Sequence, residues 1–353
     1  MEDLRIDSHK LIYHVKRVND WLNGKNIYPI FLDVSPTSAC NHNCVFCGLD
    51  YTHKVPVTLK TKVLKDMVKD CAKNGVKSIM YAGEGEPLLH KELAQIINFT
   101  HDQGIDVALN TNGVLFDKTF CKKALKDIVW SRVSIDAGTK KTHKMLHNAK
   151  EDDFDKILSN LTDAVDIKKK NKFKTTIGTQ FLLLKENANE LSTLASKLSK
   201  IGVDYLIVKP YSKHPLSINN IAEGLNYKDM MDLDKSLNKY RKKINIIFRK
   251  KTMEKRFSKK NYDRCLGAPF WAYIAATGDI YPCHNFLGVQ KFSMGNLNDN
   301  SFSSIWKSEK RKKIMDFLYT KNDVQKCREL CRLDAVNEYL WELTHPGEHV
   351  NFI

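Results

Sequence analysis

Polar and apolar positions change period at residue 30. Before it, residues 7–26 carry Leu11, His14, Val15, Val18 and Leu22 near the spacing of an amphipathic helix, with Gly24 as its stop. After it, short apolar runs alternate with longer helical patterns. The runs at 30–34, 78–82, 106–109, 129–135, 175–184 and 205–208 predict six strands. Helical periodicity at 59–74, 91–103, 117–127, 152–169 and 188–201 puts a helix after every strand but the last. Such alternation argues for an α/β fold, a parallel sheet with helices outside. Right-handed crossovers curl six such units into a partial, TIM-like (β/α)6 barrel. Function then belongs at the carboxyl ends of the strands, where the loops gather.

Near residue 225 the alternation stops. Residues 241–260 hold ten Lys and Arg against one acid, Glu254, and only Phe248 and Phe257 could stack on bases. This segment reads as a solvated helix and linker face rather than an anion-binding edge. From Trp271 to Cys283 the chain reads as a β-hairpin turning at Thr277-Gly278-Asp279. Helices at 302–318 and 325–342 follow, the second placing Cys327 and Cys331 one turn apart on one face. The division expected is an N-terminal helix (1–27), a barrel (28–225), a basic connecting segment (226–260) and a small α+β cysteine-bearing domain with an irregular tail (261–353).

Composition narrows the class. Of 353 residues 42% are hydrophobic and 10% aromatic, enough for a packed core and too many for disorder. Residues 1–5 are charged and open no apolar signal segment. No stretch approaches the roughly 20 apolar residues of a membrane span. The expectation is a cytoplasmic chain with no membrane partner. Its nine cysteines are then ligands or free thiols rather than disulfides. The formal charge of +16 favours anionic partners, although lysine is spread over nearly every predicted helix.

The cysteines change the picture most. Cys40, Cys44 and Cys47 follow the first strand at spacing C-x3-C-x2-C. A short loop can wrap three thiolates round one face of a metal cluster, and soft thiolates select iron–sulfur, zinc or Cu(I). Three thiolates on a four-iron cube leave one iron open. The spacing is neither the ferredoxin pattern nor a paired zinc-finger one. The second strand ends in Gly83-Glu84-Gly85-Glu86-Pro87, where glycines admit close backbone approach and the Glu86 carboxylate could hold an ammonium group. The third ends in Asn110-Thr111-Asn112-Gly113 and the fourth in Ser134-Ile135-Asp136-Ala137-Gly138. These strand ends all carry polar groups suited to one polar ligand.

In these motifs the chain resembles the radical S-adenosylmethionine enzymes, over about residues 28–215. Glu84 stands where the family pattern has a further glycine. The resemblance implies that Cys40, Cys44 and Cys47 hold a 4Fe–4S cluster whose open iron is chelated by the methionine end of S-adenosylmethionine. Reductive cleavage then makes a 5′-deoxyadenosyl radical that abstracts hydrogen from substrate. It assigns Gly85, Glu86 and Pro87 to the methionine amine and Phe46 to the adenine region. Asn112, Ser134 and Asp136 go to the ribose and carboxylate. Gln180, Lys209 and Tyr211 are candidates beside the substrate. Cys265-x17-Cys283 and Cys327-x3-Cys331 resemble the SPASM and twitch extensions of these enzymes, with four ligands for one auxiliary 4Fe–4S cluster. A four-cysteine zinc site is the alternative, and the neighbouring core favours iron–sulfur.

Cys71 and Cys121 remain, as buried inert thiols or as hydrogen donors that quench a substrate radical. His42 reads as an exposed loop residue. His214, with Lys209 and Lys213, suits a phosphate or other anion, or is a plain basic loop. The tail histidines His345 and His349 could fold over the site mouth or simply lie at the surface. The function expected is hydrogen abstraction from a small polar, phosphorylated or nucleotide-linked carbohydrate. Oxidation, epimerisation or elimination would follow, with flavodoxin or ferredoxin as reductant. Few residues precede Cys40, which leaves no room there for a peptide-recognition domain. The alternatives are modification of a peptide or protein residue and, more remotely, a zinc-stabilised nucleic-acid-binding protein.

Overall fold

The computed structural model of the chain describes residues 8–52 and 55–352, with nothing of the Phe257 side chain. The charged residues 1–5, read above as opening no signal segment, lie outside the described residues. Helix α1 (Val15–Leu22) precedes the barrel. Strands β1 (Phe31–Val34), β2 (Ser78–Tyr81), β3 (Asp106–Thr111), β4 (Trp130–Ser134), β5 (Thr176–Leu183) and β6 (Tyr205–Pro210) follow. Between them come α2 (Thr61–Lys73), α3 (Leu93–Asp102), α4 (Lys118–Ala124), α5 (Lys140–His147), α6 (Asp153–Asn171) and α7 (Leu191–Ile201). Helix α8 (Leu233–Ser236), β7 (Asn245–Phe248) and α9 (Lys250–Glu254) occupy the basic segment. Strands β8 (Trp271–Ile274) and β9 (Ile280–Tyr281) and helices α10 (Phe302–Lys307), α11 (Glu309–Thr320) and α12 (Asp334–Thr344) complete the chain.

The strands form one sheet in the order β7-β6-β5-β4-β3-β2-β1-β8-β9. Every pair is parallel except the β8–β9 hairpin. The six expected strands and the partial barrel are present, and two further parallel strands widen it. β7 forms inside the Lys/Arg-rich segment, where Asn245-Ile246-Ile247-Phe248 pairs with β6. β8 docks on β1, so the hairpin continues the sheet.

Side chains alternate across a strand, so paired residues in register share a face. The outward face carries Leu32, Val34, Ile79, Tyr81, Leu109, Val133, Ile177, Phe181, Leu206 and Val208. They pack in one core with Leu64 and Val68 of α2, Ile96 of α3, Leu161 of α6 and Leu194 of α7. The inward face is mixed. Phe31, Met80, Ala108 and Trp130 fill its amino-terminal end. In register with them come Asp33, Asn110, Arg132, Gln180 and Lys209 toward the carboxyl ends. A sheet buried in apolar surroundings on both faces would read as continuous Val and Ile. Charges on the inner face mark a lumen.

The amino-terminal end of the barrel is closed by Leu11 and Val18 packing on Ile27, Ile30, Phe270 and Leu340. The expected N-terminal helix is split at His14, and Val15 and Leu22 of its apolar stripe are exposed. Near the C-terminus α10 and α11 break at Ser308, whose hydroxyl accepts from the Arg311 N–H at 3.2 Å. The helix expected over 325–342 forms only from Asp334, so Cys327 and Cys331 sit on an irregular loop. Asp334 Oδ2 accepts the Cys331 N–H at 3.0 Å, and the Leu333 N–H points at Cys331 Sγ, 3.4 Å away. These bonds fix the backbone at Cys331.

In the basic segment Lys242, Lys243, Lys251, Lys255 and Lys259 are exposed, as its composition suggested, but some of its cations are paired. Lys255 pairs with Glu338 at 2.9 Å, Arg256 with Glu329 at 2.9 Å and Lys260 with Asp334 at 3.0 Å. Its cations thus fasten the loop that carries Cys327 and Cys331. No helix among the described residues is long and apolar enough to cross a membrane.

Candidate functional site

The loop carrying Cys40, Cys44 and Cys47 leaves β1 at the carboxyl end of the barrel and is strapped from all sides. The Glu86 N–H donates to Ala39 O at 2.8 Å, and Asn112 Nδ2 donates to Asn41 Oδ1 at 2.7 Å. The N–H groups of Asn43 and Val45 donate to His147 O and Leu146 O at the end of α5. Asn219 Nδ2 donates to Cys47 O at 2.9 Å. Gly85 lies so close to the loop that a Cβ there would sit 2.1 Å from Ala39 O. Gly83 takes φ +119° with its face against Ser35. Between these glycines, Glu84 accepts the Ala276 N–H at 2.9 Å and ties the strand end to the β8–β9 turn.

The Glu86 carboxylate, expected to hold an ammonium group, is itself held by three donors of the chain. Oε1 accepts from Thr111 Oγ1 (2.7 Å) and the Leu88 N–H (3.0 Å), and Oε2 accepts the Asn112 N–H at 2.6 Å. Burial raises its pKa to about 7 against these three donors. It is a tie between two strand ends. Asn112 Oδ1 in turn accepts the Val114 N–H.

His42 is buried, contrary to the exposed position expected, with Nε2 at 3.1 Å from Asp153 Oδ2. It belongs to a histidine cluster that the strand pattern missed. His147 Nδ1 lies 3.3 Å from Cys44 Sγ, and its Nε2 lies 3.4 Å from Asp136 Oδ2. His143 stacks on His147 at 4.2 Å, and Phe46 meets the same ring edge-on at 5.2 Å. The Asp136 carboxylate also accepts the Leu182 N–H, so each of its oxygens has a partner in the chain. Burial pushes the Cys44 thiol well above its ordinary pKa and Cys40 to about 11, and the neighbouring thiols add to both. Neighbouring thiols that oppose ionisation at Cys40 and Cys44 suit a cation that binds them as thiolates.

The lumen beneath this loop is cationic. Arg132 lies against the rings of Trp130 (4.8 Å) and Tyr205 (5.8 Å), and its Nε donates to Tyr205 Oη at 3.3 Å. Gly178 makes this possible, because a Cβ there would collide with the Tyr205 ring at 1.9 Å. Lys209 feels Arg132, Arg249 and Arg328 as well as Asp136. Burial, helped by the guanidinium groups, lowers its pKa, while burial raises that of Asp136. Arg332 reaches Asp33 at 3.1 Å, and His284 meets the same oxygen at 3.2 Å. Arg328 and Arg332 come from the loop of Cys327 and Cys331. Arg328 Nε donates to Ser212 Oγ at 2.8 Å, and its guanidinium lies 3.7 Å from where a Gly48 Cβ would be. Asn110, Ser134 and Gln180 share this inner face by register.

The second thiol group assembles from three separate segments. Burial raises Cys265 and Cys331 to about 12 and Cys283 well above its ordinary value, and the four thiols Cys265, Cys283, Cys327 and Cys331 act on one another. Asn337 Nδ2 points at Cys265 Sγ (3.9 Å) and Asn322 Nδ2 at Cys327 Sγ (3.6 Å). Thiols that act on one another beside amide donors suit a cluster, and among the described residues no three of them reach the spacing of a single metal ion.

Other candidates lie elsewhere. Cys71 and Cys121 are fully buried in the outer core between sheet and helices, away from the lumen. His214 is buried, stacked on Tyr51 at 4.8 Å, with Nε2 at 2.8 Å from His284 O, and so serves packing. Lys213 is exposed and donates to Asn220 Oδ1 at 2.7 Å. Tyr211 is buried and donates to Asn219 Oδ1 at 2.8 Å. His345 stacks on Trp341 at 3.8 Å, and His349 is exposed. Arg132, Arg249, Arg328, Arg332, His143, His147 and Asp50 went unread in the sequence. Asp50 fastens the segment beyond β6 by accepting from Ser217 Oγ at 3.1 Å and from the Asn219 N–H at 3.0 Å.

Residues 34–198 match the Radical SAM superfamily, and residues 265–332 match SPASM, an iron–sulfur cluster-binding domain. A tungsten-containing aldehyde ferredoxin oxidoreductase cofactor-modifying protein of Pyrococcus furiosus is 25% identical over 308 residues, 79% of this chain and 81% of the relative. A probable GTP 3′,8-cyclase of Sulfurisphaera tokodaii is 26% identical over 220 residues, 61% and 66% of the two chains. The AdoMet-dependent heme synthase of Methanosarcina barkeri is 24% identical over 294 residues, 77% and 80%. In fold the chain is similar to Streptococcus suis SuiB bound to S-adenosylmethionine, with TM-score 0.67 and 20% identity over 91% of this chain and 76% of that one. It is also similar to anSMEcpe with bound AdoMet, with TM-score 0.58 and 18% identity over 87% and 90%. The chain is a radical S-adenosylmethionine enzyme with a SPASM-type domain. Its cofactors are S-adenosylmethionine, a 4Fe–4S cluster and an auxiliary iron–sulfur cluster.

Proposed function

We propose that this radical S-adenosylmethionine enzyme oxidises a small anionic substrate, a phosphate ester or a carboxylate, held in the barrel lumen. Cys40, Cys44 and Cys47 would hold the first cluster, and Cys265, Cys283, Cys327 and Cys331 the auxiliary one. When bound, these groups and S-adenosylmethionine supply a 5′-deoxyadenosyl radical and a second redox centre. The observation that carries the reading is the charge of the lumen: Arg132, Lys209, Arg328 and Arg332 converge there against Asp33 and Asp136. Cations held together in a poorly solvated space repel one another until an anion enters. Arg132 is oriented by two rings and offers a planar fork suited to phosphate or carboxylate. Gln180 and Asn110 supply neutral hydrogen bonds on the same face.

Net oxidation is favoured over epimerisation. Four thiols at the second centre close its coordination and suit electron transfer. The thiols that could return a hydrogen atom, Cys71 and Cys121, face the outer core. The relatives named for GTP cyclisation act, by that name, on a triphosphate. The lumen cations recognise the anion rather than any particular carbon skeleton, so a sugar phosphate is one member of the class. A peptide presenting an acidic side chain would meet the same groups.

The test is anaerobic incubation of reconstituted enzyme with reductant, S-adenosylmethionine and a panel of nucleotides, sugar phosphates, carboxylates and acidic peptides. Each is paired with its neutral counterpart. Substrate-dependent 5′-deoxyadenosine is expected only with anions. A neutral counterpart turned over as fast as its anion would overturn the reading.

A further inference from the structure

Nothing in the chemistry above uses the histidines of α5. His147 is 1% exposed, yet its Nδ1 stands 3.3 Å from Cys44 Sγ. The ring is held in that orientation. His143 stacks on one face at 4.2 Å, Phe46 abuts it at 5.2 Å and His42 at 5.5 Å. Behind it, Nε2 faces the Asp136 amide N–H at 3.4 Å. His143 finds no partner for either ring nitrogen among the described residues, so it supplies a flat surface rather than a bond. Burying three imidazoles with so few partners is costly, and the ring so fixed is the one that touches a cysteine.

We propose that His147 is a positioning residue that sets the reduction potential of the first cluster by donating an Nδ1–H hydrogen bond to Cys44 Sγ. The inference rests on the reading that Cys44 holds that cluster. A metal-bound thiolate has no proton to give, so the hydrogen of this bond is carried by Nδ1, while Nε2 stands 3.4 Å from both the Asp136 N–H and Asp136 Oδ2. Hydrogen bonds to cluster sulfurs, burial and local charge are the protein's means of tuning potential. A donor at sulfur stabilises added electron density, and the buried imidazole makes that bond stronger than it would be in water. His147 thus makes the cluster easier to reduce. Its partner Asp136 also feels the charge of Lys209.

The experiment is an EPR-monitored redox titration of the reconstituted enzyme, following the cluster signal that changes on addition of S-adenosylmethionine. His147→Phe keeps the stacking surface and removes the donor. Its midpoint potential is expected to fall by about tenfold in the reduction equilibrium, or about 59 mV for one electron. His147→Asn places an amide N–H near the position of Nδ1 and should restore much of the shift. An unchanged potential in a His147→Phe protein that retains its cluster overturns the inference. Independently of any variant folding, double-resonance spectra of the unmutated reduced protein should show imidazole nitrogen coupled to the cluster, and their silence also overturns it. Cys44→Ala separates the two claims. If the S-adenosylmethionine-responsive signal survives that change, the ligand reading fails; if it disappears while His147→Phe leaves the potential unmoved, only the role of His147 fails.

Discussion

The two faces of one sheet have been put to opposite uses. Outward, Leu32, Ile79, Leu109, Val133, Phe181 and Val208 are wholly buried against helices. Inward, the same strands present Asp33, Asn110, Arg132, Gln180 and Lys209. Burying a large apolar side chain contributes roughly 1.5–3 kcal/mol, whereas gathering like charges in a lumen costs stability. The outer face therefore carries the fold, and in the function proposed above the inner face carries recognition. The boundary runs through the strand ends, where Glu86 and the cysteine loop belong to both.

The largest expected effect lies at that boundary. Replacing Cys40, Cys44 and Cys47 together by Ala should abolish reductive cleavage of S-adenosylmethionine and leave the auxiliary iron in place, measured as 5′-deoxyadenosine and as iron per chain. Residual 5′-deoxyadenosine would place the radical source elsewhere. Next comes the inner face itself. In Arg132→Leu/Lys209→Met, kcat/KM for an anionic substrate should fall by about 10³-fold, roughly 4 kcal/mol, the scale of a lost buried charge contact. Thermal stability should hold or rise, because mutually repelling cations have been removed. A variant that loses stability and turnover together would mean that these cations hold the barrel rather than the substrate.

Glu86 sharpens the boundary through pH. Its carboxyl titrates near 4.5 unfolded and about 7 folded, raised by burial. The folded chain therefore binds more protons than the unfolded one across this window. Stability from this group is full below about pH 4.5 and is lost as pH rises toward 7, on the order of 3 kcal/mol in all. Denaturant titrations of the enzyme and of Glu86→Gln from pH 5 to 8 should diverge by this slope, with only the unmutated protein declining. Parallel curves would show that the carboxyl is already ionised when folded.

Short-range features were legible in the sequence. Cys40, Cys44 and Cys47 fall within eight residues, so one loop had to bring them together. The six strands were visible because their outward residues pack under helices and leave short apolar runs. What the sequence hid was long-range or polar. Helix α5 reads Lys-Lys-Thr-His-Lys-Met-Leu-His, too lysine-rich to stand out, yet it carries His143 and His147. Its signals were Thr139 as an N-cap, histidines one turn apart and Asn148, which takes φ 45° just past its end. β7 is four residues inside a basic run, and only its partner β6 makes it a strand. Arg328 and Arg332 look like surface charges until the loop of Cys327 and Cys331 folds over the lumen. The helix expected there failed because periodicity cannot anticipate Asp334 capturing the Cys331 N–H.

The smallest expected effect tests the outer face where it most resembles the inner one. Cys71 on α2 and Cys121 on α4 are thiols, and a thiol near a substrate radical could return a hydrogen atom. Both are fully buried among apolar side chains of the outer core, and Cys121 Sγ donates to the Phe116 carbonyl at 3.6 Å. Burial raises both thiols far above their ordinary pKa, so they remain protonated and inert. With the sheet between them and the lumen, they act only as small apolar groups. Cys71→Ala and Cys121→Ala should each cost about 1 kcal/mol, seen as a slight fall in Tm, because one buried sulfur leaves a small void. Turnover should not change, and neither should deuterium uptake into product from heavy water. If either substitution altered that uptake, the thiol would be reaching the radical, and the division of labour between the faces would fail at that position.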